Sequence, residues 1–402
     1  MALLPVDEAL ARLLADATAL GEETIPLMQA GGRVLARPVT ARHTQPPFDA
    51  SAMDGYALRG ADVASVPVEL TVIGESAAGK RFSGTVAPGE AVRIFTGAPV
   101  PDGADTVLIQ ENTERLSNDR VRVLASVAPG KNIRRAGLDF TKSETLLTPG
   151  RVLDAADLSL AAAANNAALA AIRQPKVAIL ATGNELVPPG GTLGPDQIIA
   201  SNTVGIAEIV RRNGGVVCDL GIVPDKVERI EAAIGTAVEE GVDILVTSGG
   251  ASVGDHDLVH AALSARGMEL DFWKIAMRPG KPLMFGRLKT LRVLGLPGNP
   301  VSSLICAHLF LVPLVAALGG RAYKPDIRTA RLESDLPANG SRRDHIRAQI
   351  IVGRDGALFA SPLPQQDSSV LSALARADAL IIREPHTAPA RAGDPCQIYM
   401  IR

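Results

Sequence analysis

The stretch from residue 175 to residue 320 alternates short apolar runs with amphipathic segments, and this alternation constrains the fold more than any other feature. Continuous apolar runs are typical of strands that are buried on both faces of a parallel sheet. The predicted strands are residues 176–182, 216–222, 243–247 and 292–296, and the predicted helices are 201–213, 226–240, 258–266 and a helix beginning at Val301. Strands that alternate with helices form βαβ units. We therefore predict a doubly wound α/β domain around a parallel sheet.

Polar or glycine-rich turns follow three of these predicted strands. They are residues 182–185 (TGNE), 247–255 (TSGGASVGD) and 296–302 (LPGNPVS). Ligands of doubly wound sheets bind beyond the carboxyl ends of the strands, and glycines allow several backbone N–H groups to face one anion. A single glycine-rich turn is common in proteins and need not bind a ligand. Three such turns at one sheet edge favour a site for a phosphorylated small molecule.

Acidic residues lie in or beside the same turns. Glu185, Asp225, Asp255 and Asp257 follow predicted strands or lie directly before predicted helices. Carboxylates next to phosphate oxygens are typical ligands of Mg²⁺. Asp225 and Asp257 could instead cap the helices that follow them. Taken together, the four carboxylates favour the metal.

A basic segment follows at residues 272–282 (FWKIAMRPGKP). It places Lys274, Arg278 and Lys281 around a Pro-Gly turn, which can direct cationic side chains into one pocket for a compact oxyanion. The alternative is a solvated basic loop without a ligand.

Several motifs of other enzyme classes are absent from the sequence. It has no Gly-x-Ser-x-Gly elbow, no Walker A loop and no Gly-x-Gly-x-x-Gly fingerprint, and its six histidines show no metal-ligand spacing. The sequence therefore gives no support to a hydrolase of the elbow type, a P-loop ATPase or a Rossmann dehydrogenase.

Shorter patterns describe the rest of the chain. Residues 1–20 have the charged, amphipathic pattern of a helix rather than that of a signal peptide. The Ala- and Leu-rich residues 154–172 also predict a helix. Apolar runs at 68–73, 91–95, 106–110 and 121–124, separated by Pro-Gly and Pro-Asp-Gly turns, predict a mostly β module. Short strands recur after residue 325.

These patterns predict a multi-domain α/β plus β protein. Residues 1–45 and 136–174 would form a split helical domain, and residues 46–135 would be inserted into it as a mostly β domain. Residues 175–322 would form the α/β domain, and residues 323–402 a small β domain.

Charge and cysteine content predict a soluble cytoplasmic protein. The formal net charge of −2 gives no general attraction to nucleic acid or to an anionic membrane. The three cysteines are scattered, which argues against a disulfide framework or a structural zinc site. Residues 301–320 lack charge and are long enough to span a bilayer. Their Ser302, Ser303, His308 and Pro313, and the Gly-Asn-Pro turn before them, favour a helix buried against the sheet.

Six motifs, in this order, carry a resemblance to a known family. They are residues 47–57 (PFDASAMDGYA), 93–101 (RIFTGAPVP), 132–139 (NIRRAGLD), 248–255 (SGGASVGD), 278–282 (RPGKP) and 295–302 (GLPGNPVS). Through them the chain resembles, over nearly its whole length, the MoeA family of molybdopterin molybdotransferases, which includes the E domain of gephyrin. The resemblance implies a MogA/MoaB-like α/β domain and a C-terminal β-barrel.

The resemblance also implies an activity. Such enzymes take adenylylated molybdopterin and molybdate, cleave the pyrophosphate link with Mg²⁺, release AMP and leave molybdenum on the dithiolene. It implies a homodimer whose site is shared between subunits, and further proteins of molybdenum cofactor biosynthesis as partners. No nucleic acid and no membrane are expected as partners.

Site residues are carried over by motif position and combined with the patterns above. The candidate catalytic residues are Asp54, Thr96, Asp139, Asp257, Lys274 and Lys281, of which Asp54, Thr96 and Asp139 would come from the partner subunit. The candidate substrate-binding residues are Ser248, Gly249, Gly250, Gly298, Asn299, Arg278, Ser302, Arg347 and Ser368. The candidate ligands of Mg²⁺ are Glu185, Asp225 and Asp257.

The chain departs from the family in places, and two other functions remain open. Many relatives have Lys where this chain has Arg278, Asn184 stands where Asp is also common, and the match is weak around residues 342–347 and 365–369. A related α/β domain adenylylates molybdopterin, but the flanking domains here favour the transferase. Gephyrin-like domains also serve as non-catalytic scaffolds, although no feature of the sequence indicates such a partner.

Overall fold

A computed structural model describes residues 3–249 and 258–402 of the protein. The chain divides into two compact units. The first unit contains residues Met1–Glu23, Gly32–Val34 and Ala171–Arg402, and the second contains Thr24–Gly31 and Leu35–Ala170. The finer division into four regions stays a prediction.

The helices in the described part of the chain are α1 (Val6–Leu14), α2 (Ala155–Ala163), α3 (Asn202–Arg212), α4 (Val227–Glu239), α5 (Leu258–Ala265), α6 (Pro300–Cys306), α7 (Val312–Leu318) and α8 (Leu371–Arg376). A π-helical segment, Ala307–Leu311, joins α6 to α7. Single turns of 3₁₀ helix occur at Leu27–Gln29, Gly60–Val63 and Gln110–Asn112.

The strands as far as residue 172 are β1 (Glu22–Pro26), β2 (Val39–Thr40), β3 (Ala50–Ser51), β4 (Gly55–Leu58), β5 (Val68–Ser76), β6 (Glu90–Ile94), β7 (Thr106–Ile109), β8 (Thr113–Arg115), β9 (Arg120–Val123), β10 (Ile133–Arg134), β11 (Thr145–Leu147) and β12 (Ala168–Ile172). In the second unit, six of them form a sheet in the order β7-β4-β6-β5-β9-β8. The four predicted apolar runs are β5, β6, β7 and β9, so the mostly β character of this region is confirmed.

The predicted helix over residues 154–172 is wrong in its second half. Helix α2 starts as expected, because Asp154 and Asp157 form a capping box. It ends at Ala163, since Asn165 adopts a left-handed conformation with φ of +63°, which asparagine tolerates better than most residues but a helix does not. The residues that follow form strand β12, which pairs with β1.

The strands of the α/β domain are β13 (Lys176–Thr182), β14 (Leu186–Val187), β15 (Ile198–Ile199), β16 (Val216–Val223), β17 (Ile244–Ser248), β18 (Glu269–Trp273), β19 (Met277–Arg278), β20 (Met284–Leu288) and β21 (Leu291–Leu296). The main sheet has the order β16-β13-β17-β21-β20-β18. The first four strands are parallel, as predicted, whereas β20 and β18 are antiparallel and were not predicted.

Both faces of this sheet are covered, which confirms the doubly wound arrangement. Val177 and Ile179 of β13 belong to a core that includes Ile206 of α3 and the residues of α6 and α7. Ala178 and Leu180, which alternate with them, belong to the core on the other face, with residues of α4 and α5. Buried strands of this kind need apolar side chains on both faces, which explains the continuous apolar runs.

The long apolar helix at Pro300–Leu318 is a core element of this domain. Its 19 residues have a mean hydropathy of 2.2 and are sufficient in length and composition to cross a membrane. However, 78% of this apolar window is buried inside the protein. The burial supports the prediction of a helix packed against the sheet.

The C-terminal domain contains strands β22 (Ile327–Leu332), β23 (Arg343–Val352), β24 (Leu358–Pro362), β25 (Ala379–Arg383) and β26 (Pro395–Met400). They pair in the order β23-β24-β22-β26-β25, and β25 pairs again with β23, which closes a five-stranded barrel. The expected small β-barrel is therefore confirmed. Strand β19 of the α/β domain adds to it, because Met277 and Arg278 pair with Arg343 and Asp344 of β23.

Candidate functional site

A cavity of about 870 Å³ lies in the first unit at the carboxyl ends of β13, β17 and β21. The three turns predicted from the sequence contribute Thr182 and Glu185, Ser248 and Gly249, and residues 297–300 with Ser302. The basic segment contributes residues 278–282, and the C-terminal domain contributes Arg342 and residues 366–369. A volume of this size is typical of a site for a small organic ligand.

Gly249 shows why the turn after β17 requires glycine. Its φ is +94°, and a Cβ at this position would lie 2.6 Å from the backbone oxygen of Thr182. Side chains avoid both this conformation and this contact, so only glycine allows the backbone to enter the cavity wall here. Next to it, Asn202 of α3 donates hydrogen bonds to Ser248 Oγ at 2.9 Å and to the Gly298 oxygen at 2.8 Å. This side chain ties two of the three turns together.

The basic side of the cavity is formed by Arg278, Lys281 and Arg342. The guanidinium of Arg278 forms two hydrogen bonds with the buried carboxylate of Asp344, and this contact raises the pKa of Arg278. Lys281 is exposed, and no ion pair involves it among the described residues. The side chain of Lys281 is therefore available for an anion, whereas much of the charge of Arg278 is already compensated.

The structure places Arg347 outside the lining of the cavity. Its side chain is fully buried. Its Nη2 donates to the backbone oxygens of Gln365 and Asp367, both at 3.2 Å, and burial lowers the pKa of its guanidinium. Arg347 lies within β23 on the strand face opposite Ala348, which belongs to the barrel core, and its Nη2 holds the loop. Its buried Nε and Nη1 have no hydrogen-bond partner among the described residues. Arg342, which precedes the strand, lines the cavity instead.

Ser368 lies in the loop that Arg347 supports. Its Oγ accepts a hydrogen bond from Asn299 Nδ2 at 2.8 Å, and its backbone oxygen accepts one from Val301 N at 3.1 Å. These bonds join the C-terminal domain to the start of α6. The structure thus brings the predicted residues Asn299, Ser302 and Ser368 together at the cavity wall.

Lys274 is not at this cavity. It has a left-handed backbone with φ of +77°, and its ammonium lies 5.8 Å from the ring centre of Trp273. Its backbone contacts are with Leu4 and Leu283. The structure therefore separates Lys274 from the predicted oxyanion pocket, although the other two cations of the segment line it.

The predicted Mg²⁺ ligands are only partly at the cavity. Glu185 lines it, whereas Asp225 faces Asn184, with which it exchanges hydrogen bonds of 3.2 and 3.3 Å through the two backbone N–H groups. Asp257 and Gly250 lie outside the described residues. Over residues 3–249 and 258–402 no group of three or more His, Cys, Asp or Glu could hold a metal. One carboxylate at the wall nevertheless fits Mg²⁺, which takes one or two carboxylates and completes its shell with water and phosphate oxygens.

The second unit places Asp54 and Thr96 in direct contact. The Oδ1 of Asp54 accepts hydrogen bonds from Thr96 N at 2.7 Å and from Thr96 Oγ1 at 2.8 Å. The hydrogen bond from the Thr96 backbone is the main cause that lowers the pKa of Asp54. Asp139 has its backbone N–H bonded to Gln45. Within the same unit Asp49 binds Arg135 at 2.5 Å, a pair that the sequence did not indicate.

Sequence reasoning missed Arg342, Asn202 and Asp344. Arg342 and Asp344 lie in the part of the chain where the family match is weak, and no spacing rule selects them. Asn202 could be recognised only as a cap of α3, yet its side chain bridges two turns instead. Their roles follow from tertiary contacts rather than from local pattern.

Three family models together match most of the chain. Residues 4–165 match the MoeA N-terminal region (domains I and II), residues 178–317 match a "probable molybdopterin binding domain", and residues 329–401 match the MoeA C-terminal region (domain IV). The three matches therefore extend over both units.

Complete proteins are also similar to this chain. The molybdopterin molybdenumtransferase of Nostoc sp. is 39% identical over 81% of this chain and 76% of its own length. The molybdopterin molybdenumtransferase of Haemophilus influenzae is 35% identical, over 94% of this chain and 93% of its own. The crystal structure of the molybdopterin biosynthesis protein MoeA from Pyrococcus horikoshii has a TM-score of 0.84 at 31% identity, with 100% of both chains covered. The similarity thus extends to the fold of the whole chain.

Proposed function

Because this chain belongs to the MoeA family of molybdopterin molybdenumtransferases, enzymes of molybdenum cofactor biosynthesis, we propose that it inserts molybdenum from molybdate into adenylylated molybdopterin and releases AMP. The observation that supports this reaction most is the cavity of about 870 Å³, which has glycine-rich turns on one side and cations on the other. Such a cavity can take a nucleotide diphosphate and a second anion together.

The two sides of the cavity have different tasks in this reaction. Ser248, Gly249 and the turn at Gly298 hold the phosphate end of the pterin nucleotide, because backbone N–H groups and a hydroxyl suit phosphate oxygens. Lys281, Arg342 and Arg278, with Ser302 and Ser368, hold molybdate. The cations lower the cost of bringing a second anion next to the diphosphate.

Mg²⁺ would be held by Glu185, Asp225 and Asp257. When bound, the ion supplies charge neutralisation of the diphosphate and assists departure of AMP. The protein groups position the pyrophosphate and keep the basic side close to the reacting end.

We further propose that the active enzyme is a cytoplasmic homodimer. In this arrangement Asp54, Thr96 and Asp139 of one subunit complete the cavity of the other, as the resemblance implies. The contact of Asp54 with Thr96 supports the idea, because it holds an ionised carboxylate at the surface of the second unit. Other proteins of molybdenum cofactor biosynthesis would supply the pterin nucleotide and receive the product.

The test measures AMP release from adenylylated molybdopterin in the presence of Mg²⁺, with and without molybdate. The proposal predicts release that requires molybdate and produces molybdenum cofactor. Consumption of ATP with unmodified molybdopterin would indicate the adenylylating enzyme instead. Binding of the nucleotide without AMP release under any condition would indicate a scaffold and contradict the proposal.

A further inference from the structure

A second cavity of about 560 Å³ lies at the amino ends of β17 and β21, at the edge of the sheet opposite the candidate site. It is enclosed by the end of α4, the start of β17, the end of α5 and the hairpin between β20 and β21. We call it the rear cavity. It shares no lining residue with the candidate site, and all of its lining residues belong to the first unit.

One part of the wall of the rear cavity is apolar. Val242, Leu288 and Leu291 are buried, and Val238 is 45% exposed beside them. An apolar wall of this kind favours a ligand with an apolar body, because the ligand and the side chains then leave water together.

The polar groups of the rear cavity are mainly cations. Arg173, Arg266, Lys289 and Arg292 line it, against a single carboxylate, that of Asp243. This carboxylate is already engaged, since it accepts two hydrogen bonds from Arg173, at 2.8 and 3.0 Å, and one from Lys176 N at 2.8 Å. Asp243 also lies close enough to Arg292 to raise its pKa, but Arg266 and Lys289 form no ion pair with it.

Three of these cations retain unused hydrogen-bond donors. No ion pair or hydrogen bond involves the side chains of Arg266 and Lys289 within the described part of the chain. Arg292 donates from Nη2 to the backbone oxygen of Asp16 at 2.7 Å, but its buried Nε has no partner. Burial and the neighbouring Arg287 lower the pKa of Arg292, although Asp16 and Asp243 act in the opposite direction. A bound anion would offset the cost of burying this cation.

We propose that the rear cavity is a second binding site, for a small organic anion that combines an apolar body with a phosphate or carboxylate group. The anionic group would contact Arg266, Lys289 and Arg292, and the apolar body would pack on Leu288, Leu291 and Val242. The site is separate from the transferase cavity and does not depend on the reaction assigned to it.

Isothermal titration calorimetry with 1-naphthyl phosphate tests the anionic and apolar requirements together. We expect saturable binding to the complete protein, and at least about tenfold weaker binding of neutral 1-naphthol. The double variant R266A/K289A should bind 1-naphthyl phosphate at least about tenfold more weakly. The matched control K324A/R354A, which removes two exposed cations elsewhere in the first unit, should bind like the wild type.

Two further measurements make the result decisive. Lys281→Ala should leave this binding unchanged, because Lys281 lines only the other cavity. Lys289→Glu at the exposed hairpin should weaken binding even if the double variant is unstable. Absence of binding at millimolar 1-naphthyl phosphate, equal binding of R266A/K289A and wild type, or loss of binding in Lys281→Ala would each overturn the proposal.

Discussion

Arg278 and Asp344 form a two-pronged ion pair in which the carboxylate is buried and the guanidinium borders the cavity. The side chain of Asp344 is 6% exposed, whereas that of Arg278 is 60% exposed. The pair fixes the basic segment to the barrel, where Met277 and Arg278 already pair with β23. It also compensates one of the three cations at the cavity, so Lys281 and Arg342 carry most of the attraction for an anion.

Asp344→Asn should lower the free energy of unfolding by about 1–2 kcal/mol, because one buried partner of a charge-assisted hydrogen bond is lost while Arg278 can return to water. Asp326 is the matched control, since it forms the same two hydrogen bonds with Arg328 at an exposed position. Asp326→Asn should leave the urea midpoint nearly unchanged, because water and salt screen an exposed ion pair. Urea denaturation measures both, and equal losses would show that burial of Asp344 has no influence.

Arg342 and Arg347 should respond differently to replacement by alanine. Arg342→Ala removes a cation from the cavity wall and should raise the KM for molybdate about tenfold with little effect on stability. Arg347→Ala leaves a buried cavity and releases the loop that carries Ser368, so it should lower the free energy of unfolding by about 3 kcal/mol. Thermal melting together with steady-state kinetics checks this contrast, which the reverse pattern would contradict.

Gly249→Ala should abolish most of the activity, because its Cβ would lie 2.6 Å from the Thr182 oxygen. Gly221 is a suitable control, since it has φ of +75° but no atom within 4 Å of the place that a Cβ would occupy. Gly221→Ala should cost about 1 kcal/mol from its backbone conformation alone and leave activity intact. Activity of Gly249→Ala equal to that of Gly221→Ala would show that close packing at this turn is unimportant.

Stability should fall as the pH is lowered below about 6.5. Burial lowers the pKa of His345 to about 3 and that of His308 to about 4 in the folded protein. At pH values between these lowered pKa values and the ordinary histidine pKa, the unfolded chain therefore binds more protons than the folded protein. Each histidine contributes a slope of up to about 1.4 kcal/mol per pH unit, with stability rising as the pH rises. Melting from pH 7.5 to 5.5 should show a shallower pH dependence of stability for His345→Gln than for wild type. The same slope in both proteins would contradict this role of His345.

A mixing experiment tests whether two subunits share one site. At molybdate concentrations well below the KM, Asp54→Ala and Lys281→Ala should each retain at most about a tenth of wild-type activity as homodimers. In a heterodimer, one site would carry both changes and the other neither, so an equal mixture should recover about a quarter of wild-type activity. Recovery no greater than the sum of the separate activities would place each site within one chain.

The α/β domain is predictable because continuous apolar runs alternate with amphipathic segments. Elements with a short or ambiguous pattern are not predictable in this way. Strands β13, β16, β17 and β21 are recognisable because both of their faces are buried. The run at Ala168–Ile172 is compatible with helix or strand, since a short apolar segment rich in alanine has no decisive period. Strand β18 is not recognisable because Glu269, Leu270 and Asp271 are exposed, which hides a strand pattern.

The site residues that lie in glycine-rich turns after strands are predictable from the sequence. Those whose position depends on the register of β23 are not. The sequence indicates Ser248, Gly249, Lys281 and Ser302, all of which line the cavity. It does not distinguish Arg342 from Arg347, because their orientation depends on where β23 begins and how the barrel closes. The pairing of Asp344 with Arg278 depends on the register between β19 and β23, which no local pattern specifies.

The most direct test of the central claim is the molybdate dependence of AMP release by Lys281→Ala, with Lys324→Ala as the control for loss of an exposed lysine in the same unit. We expect wild type and Lys324→Ala to release AMP only with molybdate and with equal KM. For Lys281→Ala we expect a KM for molybdate at least about tenfold higher, because a free cation is lost from the anion pocket. Equal molybdate dependence in all three proteins would contradict the assignment of this cavity as the site of molybdenum insertion.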